Sequence, residues 1–131
     1  MTLSLVLALV AIAAPAQGQP CADEVVSPQR VYAGVFLDEF ENQRFFEGAQ
    51  TAADVDRRAP DSVWMTMNVV EWGKPFGIES RPQFGAYRMR FSGIKRTRGS
   101  GIVPCGYGHF NSFVSDMRVV SVLSIEPISI D

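Results

Sequence analysis

The stretch Tyr-Arg-Met-Arg-Phe, residues 87–91, is the starting point for predicting the fold of this chain. Tyr87, Met89 and Phe91 alternate with two arginines, and a period of two residues is typical of a β-strand with one buried and one solvent-facing side. Directly afterwards, at Ser92-Gly93, the apolar residues change parity, which predicts a β-bulge at this glycine. We therefore expect a long strand that bends near its middle.

A second apolar segment, Met117 to Ile125, follows a glycine-rich turn that contains Gly106-Tyr107-Gly108-His109. Valine and isoleucine occur at both parities in this segment, which favours a central strand covered on both sides along part of its length. The two segments and the turn between them predict the closing half of a small β-barrel.

The earlier part of the chain supplies the other predicted elements. Val31 to Leu37 predicts a first strand, in which Gly34 suits the sharp coiling of a small barrel. The segment from Phe40 to Phe46 fits a hairpin or a bent continuation of that strand. Val63 to Trp72 alternates throughout and predicts a second long strand.

Between these strands, Thr51 to Arg58 predicts a helix of at most two turns, because Thr51 and Asp54 have the spacing of a capping box and Pro60 would end the helix. The fold class is therefore expected to be all-β and mainly antiparallel, a small five-stranded OB-like barrel with at most one short helix. An SH3-like barrel or a small sandwich is the alternative. With 131 residues, 47% of them hydrophobic, we expect one domain over residues 31–131, preceded by an arm over residues 17–30.

The N-terminus has the features of a signal peptide. The apolar run from Leu3 to Ala14 is shorter than the ~20 residues needed to span a bilayer, and Ala14-Pro15-Ala16 fits a signal peptidase site. We predict a signal peptide over residues 1–16, a periplasmic or secreted location and no membrane span in the mature chain. Cys21 follows Gln19-Pro20, which does not fit a lipid anchor.

The two cysteines, Cys21 and Cys105, both lie in the portion predicted to be exported. In an oxidising compartment a disulfide is the default for an even number of cysteines, and two cysteines permit only one intramolecular pairing. A nucleophilic Cys105 would need a base, and the only histidine is His109, four residues further on in the turn. We therefore predict a Cys21–Cys105 disulfide.

Two stretches resemble a group of small exported bacterial proteins, mostly uncharacterised, with OB-like barrels. Gly34-Val35-Phe36 followed by Phe40-Glu41-Asn42-Gln43-Arg44-Phe45 is similar to a glycine strand leading into a Phe-Glu-x-x-x-Phe signature. Gly106-Tyr107-Gly108-His109-Phe110 is similar to a Gly-Tyr-Gly-His-Leu-Gly turn before the last strand. Arg44 stands where the group tends to have a small hydroxyl residue, and Phe110-Asn111 replaces Leu-Gly. The resemblance implies a fold and a compartment, and it implies no activity.

His109 is interpreted as a structural residue that ties the turn to the backbone or to a carboxylate such as Glu41. A metal site would need several converging ligands, which the turn does not show, so no metal and no cofactor are predicted. Glu41 as an acid–base group would need a second carboxylate, which no spacing supplies. We predict no catalytic residue, and a structural role for Glu41.

Trp64 and Trp72 fall on the same face of the predicted second long strand. Eight residues at roughly 3.3 Å each would separate them by about 26 Å, too far to hold one sugar ring between them. Packing at the edge of the core is the favoured interpretation.

A basic run is the most function-like feature of the sequence. It has no acidic residue between Arg81 and Ser115, and its predicted ligand-binding residues are Arg88, Arg90, Lys95, Arg96 and Arg98. A solvated strand face and hairpin tip would also explain this run. The formal net charge of −2 argues against a globally basic nucleic-acid binder.

These observations favour an exported, non-enzymatic binding or interaction module of the bacterial envelope. We expect its partner to be an anionic glycan, a lipid headgroup or an envelope protein, and nucleic acid to be an unlikely partner. Two alternatives stay open: a small cell-wall-acting hydrolase or lysozyme-inhibitor-like protein, and a purely structural envelope protein. A pocket with His109, Glu41 and a free hydroxyl would favour an enzyme.

Overall fold

The computed structural model describes residues 23–58, 62–99 and 105–130, and they form a closed, mixed β-barrel. The strands are β1 (Val25–Val26), β2 (Arg30–Glu39), β3 (Asn42–Glu47), β4 (Val63–Met65), β5 (Gly85–Thr97) and β6 (Ser115–Ile128). Two short helices, α1 (Ala52–Arg58) and α2 (Val69–Gly73), and two 3₁₀ turns, Lys74–Phe76 and His109–Asn111, complete the fold. No helix in these ranges is long and apolar enough to cross a membrane.

Five strands close the barrel in the order β5, β2, β3, β4, β6, because β5 pairs with both β2 and β6. All these pairings are antiparallel except that of β4 with β6, which is parallel. The two-residue strand β1 adds to the end of β5. The predicted small, mainly antiparallel five-stranded barrel is therefore confirmed.

The alternation of side chains produces two apolar clusters on opposite faces of β2 and β3. Tyr32, Phe36 and Phe45 point into the barrel, where they pack against β4, β5 and β6. Val35 and Phe46 point outward into a second cluster that includes residues of and near α1. Burial of each such aromatic or aliphatic side chain contributes about 1.5–3 kcal/mol to folding, so both faces stabilise the barrel.

The predicted helix after Thr51 is present as α1. The side chain of Asp54 accepts hydrogen bonds from the backbone N–H groups of Thr51, at 3.1 Å, and Gln50, at 2.9 Å. This is the reach-back from the third helical position that the capping-box spacing predicts.

The predicted second long strand, Val63 to Trp72, is wrong in its length. β4 ends at Met65, and α2 begins after Asn68, whose Oδ1 accepts a hydrogen bond of 3.1 Å from the backbone N–H of Glu71. An asparagine cap followed three residues later by glutamate is a helix-start signal that the alternation obscured. The alternation was nevertheless right about burial, because Val63, Met65, Met67 and Val69 are all buried.

The predicted bulge is close to the right place but on the wrong strand. The β5–β6 register shifts between Arg90 and Phe91 and again between Ser92 and Gly93, and the extra residues are Leu123 and Val120 of β6. Both are exposed, at 47% and 39%. Apolar residues occur at both parities of β6 because of these bulges, and the prediction that this strand is covered on both sides is wrong.

Three predictions concern residues outside the described ranges. The signal peptide over residues 1–16 lies entirely outside them, and so do residues 17–22 of the arm predicted over residues 17–30. The disulfide stays a prediction, because Cys21 lies outside the described residues while Cys105 begins the last described segment.

Candidate ligand-binding groove

A row of outward-facing residues crosses the barrel at β4, β6 and β5. Trp64 of β4 is in register with Asp116 of β6, which is in register with Arg96 of β5. The next residues of β4 and β6, Met65 and Met117, are buried. Because side chains alternate along a strand, Trp64, Asp116 and Arg96 lie together on the outside of the barrel.

Arg96 is bound to Asp116 through two of its side-chain nitrogens. Its Nε donates to Oδ1 at 2.8 Å and its Nη2 donates to Oδ2 of a carboxylate whose side chain is only 15% exposed. The hydrogen bond to Asp116, more than any other effect, raises the pKa of Arg96 above its usual value. A bidentate pair of this kind fixes both side chains in one geometry, so it forms one wall of the groove described next.

Beside this pair lies a groove of about 460 Å³, which we call the Trp64–Trp72 groove. The side chains that define it are Trp64, Thr66, Trp72, Ile94, Arg96, Asp116 and Arg118. The predicted 26 Å separation of the two tryptophans assumed one continuous strand and is wrong, because the chain leaves β4 at Met65 and turns into α2. Trp72 is thereby brought to the same groove as Trp64, and both are partly exposed. Trp72 packs against the core of the barrel, as the favoured interpretation predicted.

Arg118 supplies the uncommitted positive charge of the groove. It lies on β6 opposite Ile94, points outward and is exposed. Within residues 23–58, 62–99 and 105–130, no carboxylate forms an ion pair with it. Sequence reasoning missed this residue, although its two-residue spacing from Asp116 could have placed both on the outer face.

A second groove, of about 370 Å³, shares Trp72 with the first. It lies between the α2 region and β6 and is lined by Glu71, Pro75, Phe76, Ser121 and Val122 as well as Trp72. Phe76, in the 3₁₀ turn after α2, is 41% exposed. Each groove therefore offers an aromatic surface of its own, with Trp72 common to both.

The Gly106-Tyr107-Gly108-His109 turn holds Trp64 from outside. Tyr107 and Phe113 form an antiparallel bridge across the turn, with N···O distances of 3.0 and 3.1 Å. The ring of Phe113 packs on the indole of Trp64 at 5.3 Å between centroids. Gly108, whose backbone φ is 72°, also lies against this indole. The turn thus fixes one wall of the groove.

Tyr107 ties the turn to the segment before β1. Its hydroxyl donates a hydrogen bond of 2.6 Å to Oε2 of Glu24, and the guanidinium of Arg96 lies 5.1 Å from the centre of its ring. Burial, followed by the hydrogen bond to Glu24, raises the pKa of the Tyr107 hydroxyl well above its usual value. The phenol is therefore held in its protonated form.

The predicted ligand-binding residues do not converge on one site. Arg88 contacts Glu126 at 3.1 Å and the carbonyl of Gln50 at 3.1 Å, while Arg98 donates to the carbonyl of Cys105 at 2.7 Å. Arg90 and Lys95 form no side-chain ion pair in the described part of the chain, and neither lines the two grooves. Of the five, only Arg96 lines the Trp64–Trp72 groove, and its guanidinium is bound to Asp116.

The structure brings His109 and Glu41 close to each other. Nε2 of His109 lies 3.8 Å from Oε2 of Glu41, which belongs to the turn between β2 and β3. The two side chains are 45% and 58% exposed, and neither lines the two grooves. Their contact is therefore a surface contact between two loops.

The described residues contain no cluster of three side chains of the types that bind metal ions. No family model matches the chain, and no curated protein or solved structure matches it significantly. The resemblance to exported OB-like proteins stays a prediction, and the function has to be inferred from the grooves themselves.

Proposed function

We propose that this protein is an exported, non-enzymatic binding module that holds an anionic ligand in the Trp64–Trp72 groove. The observation that supports this proposal is that two partly exposed indoles share one groove with Arg118, a cation without an ion-pair partner among the described residues. The predicted signal peptide supports export. The proposal moves the anion-binding role from the basic run of β5 to Arg118 of β6.

The chemistry of the groove determines what kind of ligand it would hold. Indole faces stack on flat or apolar ring faces, and stacking of a base on an aromatic side chain is worth about 1–3 kcal/mol. A hydrogen bond between arginine and a ligand anion adds about 1.5–3 kcal/mol. After the cost of association, these terms correspond to weak binding, with affinities of roughly millimolar.

The charged residues of the groove favour binding over hydrolysis. Among the described residues, Asp116 is the carboxylate of the Trp64–Trp72 groove and Glu71 is that of the second groove, but Arg96 holds both oxygens of Asp116 and so removes one of the two from acid–base chemistry. A glycoside hydrolase of the usual kind needs two carboxylates that flank the scissile bond. The pair His109 and Glu41, which would suit acid–base chemistry, is exposed and lies outside the grooves.

The test is an NMR titration that follows the two indole N–H signals, which Trp64→Phe and Trp72→Phe assign. The probes are a glucuronate-containing disaccharide, a four-residue thymidylate oligonucleotide and glycerophosphoglycerol, the headgroup of an anionic lipid. At least one probe should shift both indole signals. Arg118→Gln should lower the affinity for that probe about tenfold.

The matched control is Arg90→Gln, which removes another exposed arginine that does not line the groove. This variant should change the affinity by less than about twofold, since a single distant charge is screened by salt. Equal weakening by both substitutions, or shifts confined to signals outside the groove, would overturn the proposal.

A further inference from the structure

We infer that the ligand of the Trp64–Trp72 groove is a short saccharide with one carboxylate, whose acidic ring lies beside Arg118 and whose next ring lies in the groove of Phe76. This inference rests on the proposed function and goes further, because it selects one ligand class from the anions that the groove could hold. Three features of the two grooves support it: their charge balance, their shape and the position of Glu71.

The charge balance argues against a polyanion. The charged residues that line the two grooves are Arg96, Arg118, Asp116 and Glu71, two of each sign. Arg96 and Asp116 neutralise each other in a bidentate pair, which leaves one cation in the first groove and one carboxylate in the second. Binding of nucleic acid depends on several phosphate contacts made by cations. A ligand with one negative charge matches Arg118 alone.

The shape of the two grooves suits two linked rings. Volumes of about 460 and 370 Å³ lie within the usual range of small-molecule sites. Trp64 lines the first groove, Phe76 lines the second, and Trp72 lines both. Pyranose rings present apolar C–H faces to aromatic side chains and hydroxyls at their edges. Thr66 in the first groove and Ser121 in the second supply hydrogen-bonding groups for such hydroxyls.

Glu71 gives the two grooves different preferences. Its carboxylate lines the second groove, where within the described ranges no arginine or lysine lines the wall. A carboxylate can accept hydrogen bonds from sugar hydroxyls, whereas it repels a second carboxylate at close range. The acidic ring should therefore occupy the first groove and a neutral ring the second. This arrangement predicts that the protein prefers a disaccharide with one carboxylate to a disaccharide with two.

Cellobiouronic acid, cellobiose and digalacturonic acid test this preference by titration calorimetry. The first two disaccharides differ only in whether one CH₂OH group is oxidised to a carboxylate. We expect cellobiouronic acid to bind about tenfold more tightly than cellobiose, and digalacturonic acid to bind no more tightly than cellobiouronic acid. Arg118→Gln should remove the difference in affinity between cellobiouronic acid and cellobiose, and Arg90→Gln should retain that difference.

A second variant tests the role of Glu71 without relying on Arg118. Glu71→Gln should raise the affinity for digalacturonic acid at least threefold and should change the affinity for cellobiose by less than twofold. The reason is that Glu71 repels only the doubly charged ligand. Because Glu71 donates its backbone N–H to the Asn68 cap, the variant keeps the helix-capping contact. An unchanged affinity for digalacturonic acid would contradict the assigned position of the neutral ring.

The outcomes separate this inference from the proposed function. If the oligonucleotide or the lipid headgroup shifts the indole signals and the disaccharides do not, the saccharide inference is overturned and the proposed function stands. Equal binding of cellobiose and cellobiouronic acid also overturns the inference. If no probe shifts either indole, both fail.

Discussion

Gly108 lies directly against the indole of Trp64, so that a Cβ at this position would overlap the ring. The backbone of Gly108 also has a φ of 72° and a ψ of −159°, a region that essentially only glycine occupies and that costs other residues about 1–3 kcal/mol. Gly108→Ala should therefore lower the free energy of unfolding by about 2–6 kcal/mol, the sum of this cost and of a shift in a packed ring. Urea unfolding measures the loss, and the Trp64 indole signal should move.

Gly77→Ala is the control for this prediction. Gly77 has a φ of 87° and a ψ of 10°, in the left-handed helical region, and a Cβ there would have nothing within 4 Å. This substitution measures the cost of a left-handed backbone without any steric contact, about 1 kcal/mol, so it should lose less stability than Gly108→Ala. If both glycine variants lose the same stability, contact with Trp64 contributes nothing and the turn does not hold the groove wall.

Tyr107 should make the protein sensitive to alkali. Because the folded state raises the pKa of this hydroxyl, the unfolded chain releases its proton first, near the usual pKa of about 10. The stabilisation is thus complete below about pH 10 and is lost as the pH rises further, by up to about 1.4 kcal/mol per pH unit. Tyr87, whose pKa is also raised, by burial and then by Asp38, adds to the slope.

Urea unfolding at pH 8, 10 and 11 checks the contribution of Tyr107. Tyr107→Phe should lower the free energy of unfolding by about 1 kcal/mol at pH 8, because the hydrogen bond to Glu24 is lost. Between pH 10 and 11 the free energy of unfolding should fall less in this variant than in the wild type. An identical fall in the two proteins would show that the environment of Tyr107 does not hold its proton.

Asp38 is a fully buried carboxylate at one end of the barrel interior. Gln43 donates a hydrogen bond of 2.8 Å to its Oδ1, and Nε of Arg81 lies 3.1 Å from its Oδ2. Removal of one partner of a buried ion pair typically costs 3–5 kcal/mol. Arg81 is 40% exposed, so Arg81→Met should cost less, about 2–3 kcal/mol by denaturant unfolding. Arg90→Met should cost less than about 0.5 kcal/mol, and equal losses would mean that Arg81 does not stabilise Asp38.

The contact between His109 and Glu41 should contribute little to stability, since exposed ion pairs are worth about 0–1 kcal/mol. Glu41 also has a φ of 56°, so Glu41→Gly should preserve or raise stability by up to about 1 kcal/mol even though it removes the contact. A double-mutant cycle with His109→Ala measures the coupling directly. A coupling above about 1 kcal/mol would contradict the surface contact seen here.

How far the sequence predicts this protein depends on the range of the interactions involved. Alternation is a local property, and it correctly assigned Val63, Met65, Met67 and Val69 to the core. Alternation did not indicate that β4 ends at Met65, because the segment after the strand keeps every second side chain buried without strand pairing. The Asn68 cap was readable, and weighing it against the alternation would have placed Trp72 on a helix.

The candidate site was harder to predict, because it depends on pairing between distant strands. Arg96 is bound to Asp116 because the β5–β6 register sets them opposite each other, and two bulges in β6 separate that register from the one that pairs Arg88 with Glu126. A sequence shows that the basic run exists, but it does not show which of its charges are neutralised across the sheet. For the same reason the sequence did not identify Arg118, whose role is inferred from the fact that no described carboxylate forms an ion pair with it.

The most direct test of the central claim is a measurement of intermolecular nuclear Overhauser effects between the protein and bound cellobiouronic acid. The account predicts contacts from the indole protons of both Trp64 and Trp72 to sugar ring protons, with contacts from Phe76 to the neutral ring alone. Contacts that arise at the exposed Phe40 and Phe110 instead, or contacts from only one of the two indoles, would contradict the shared groove as the binding site.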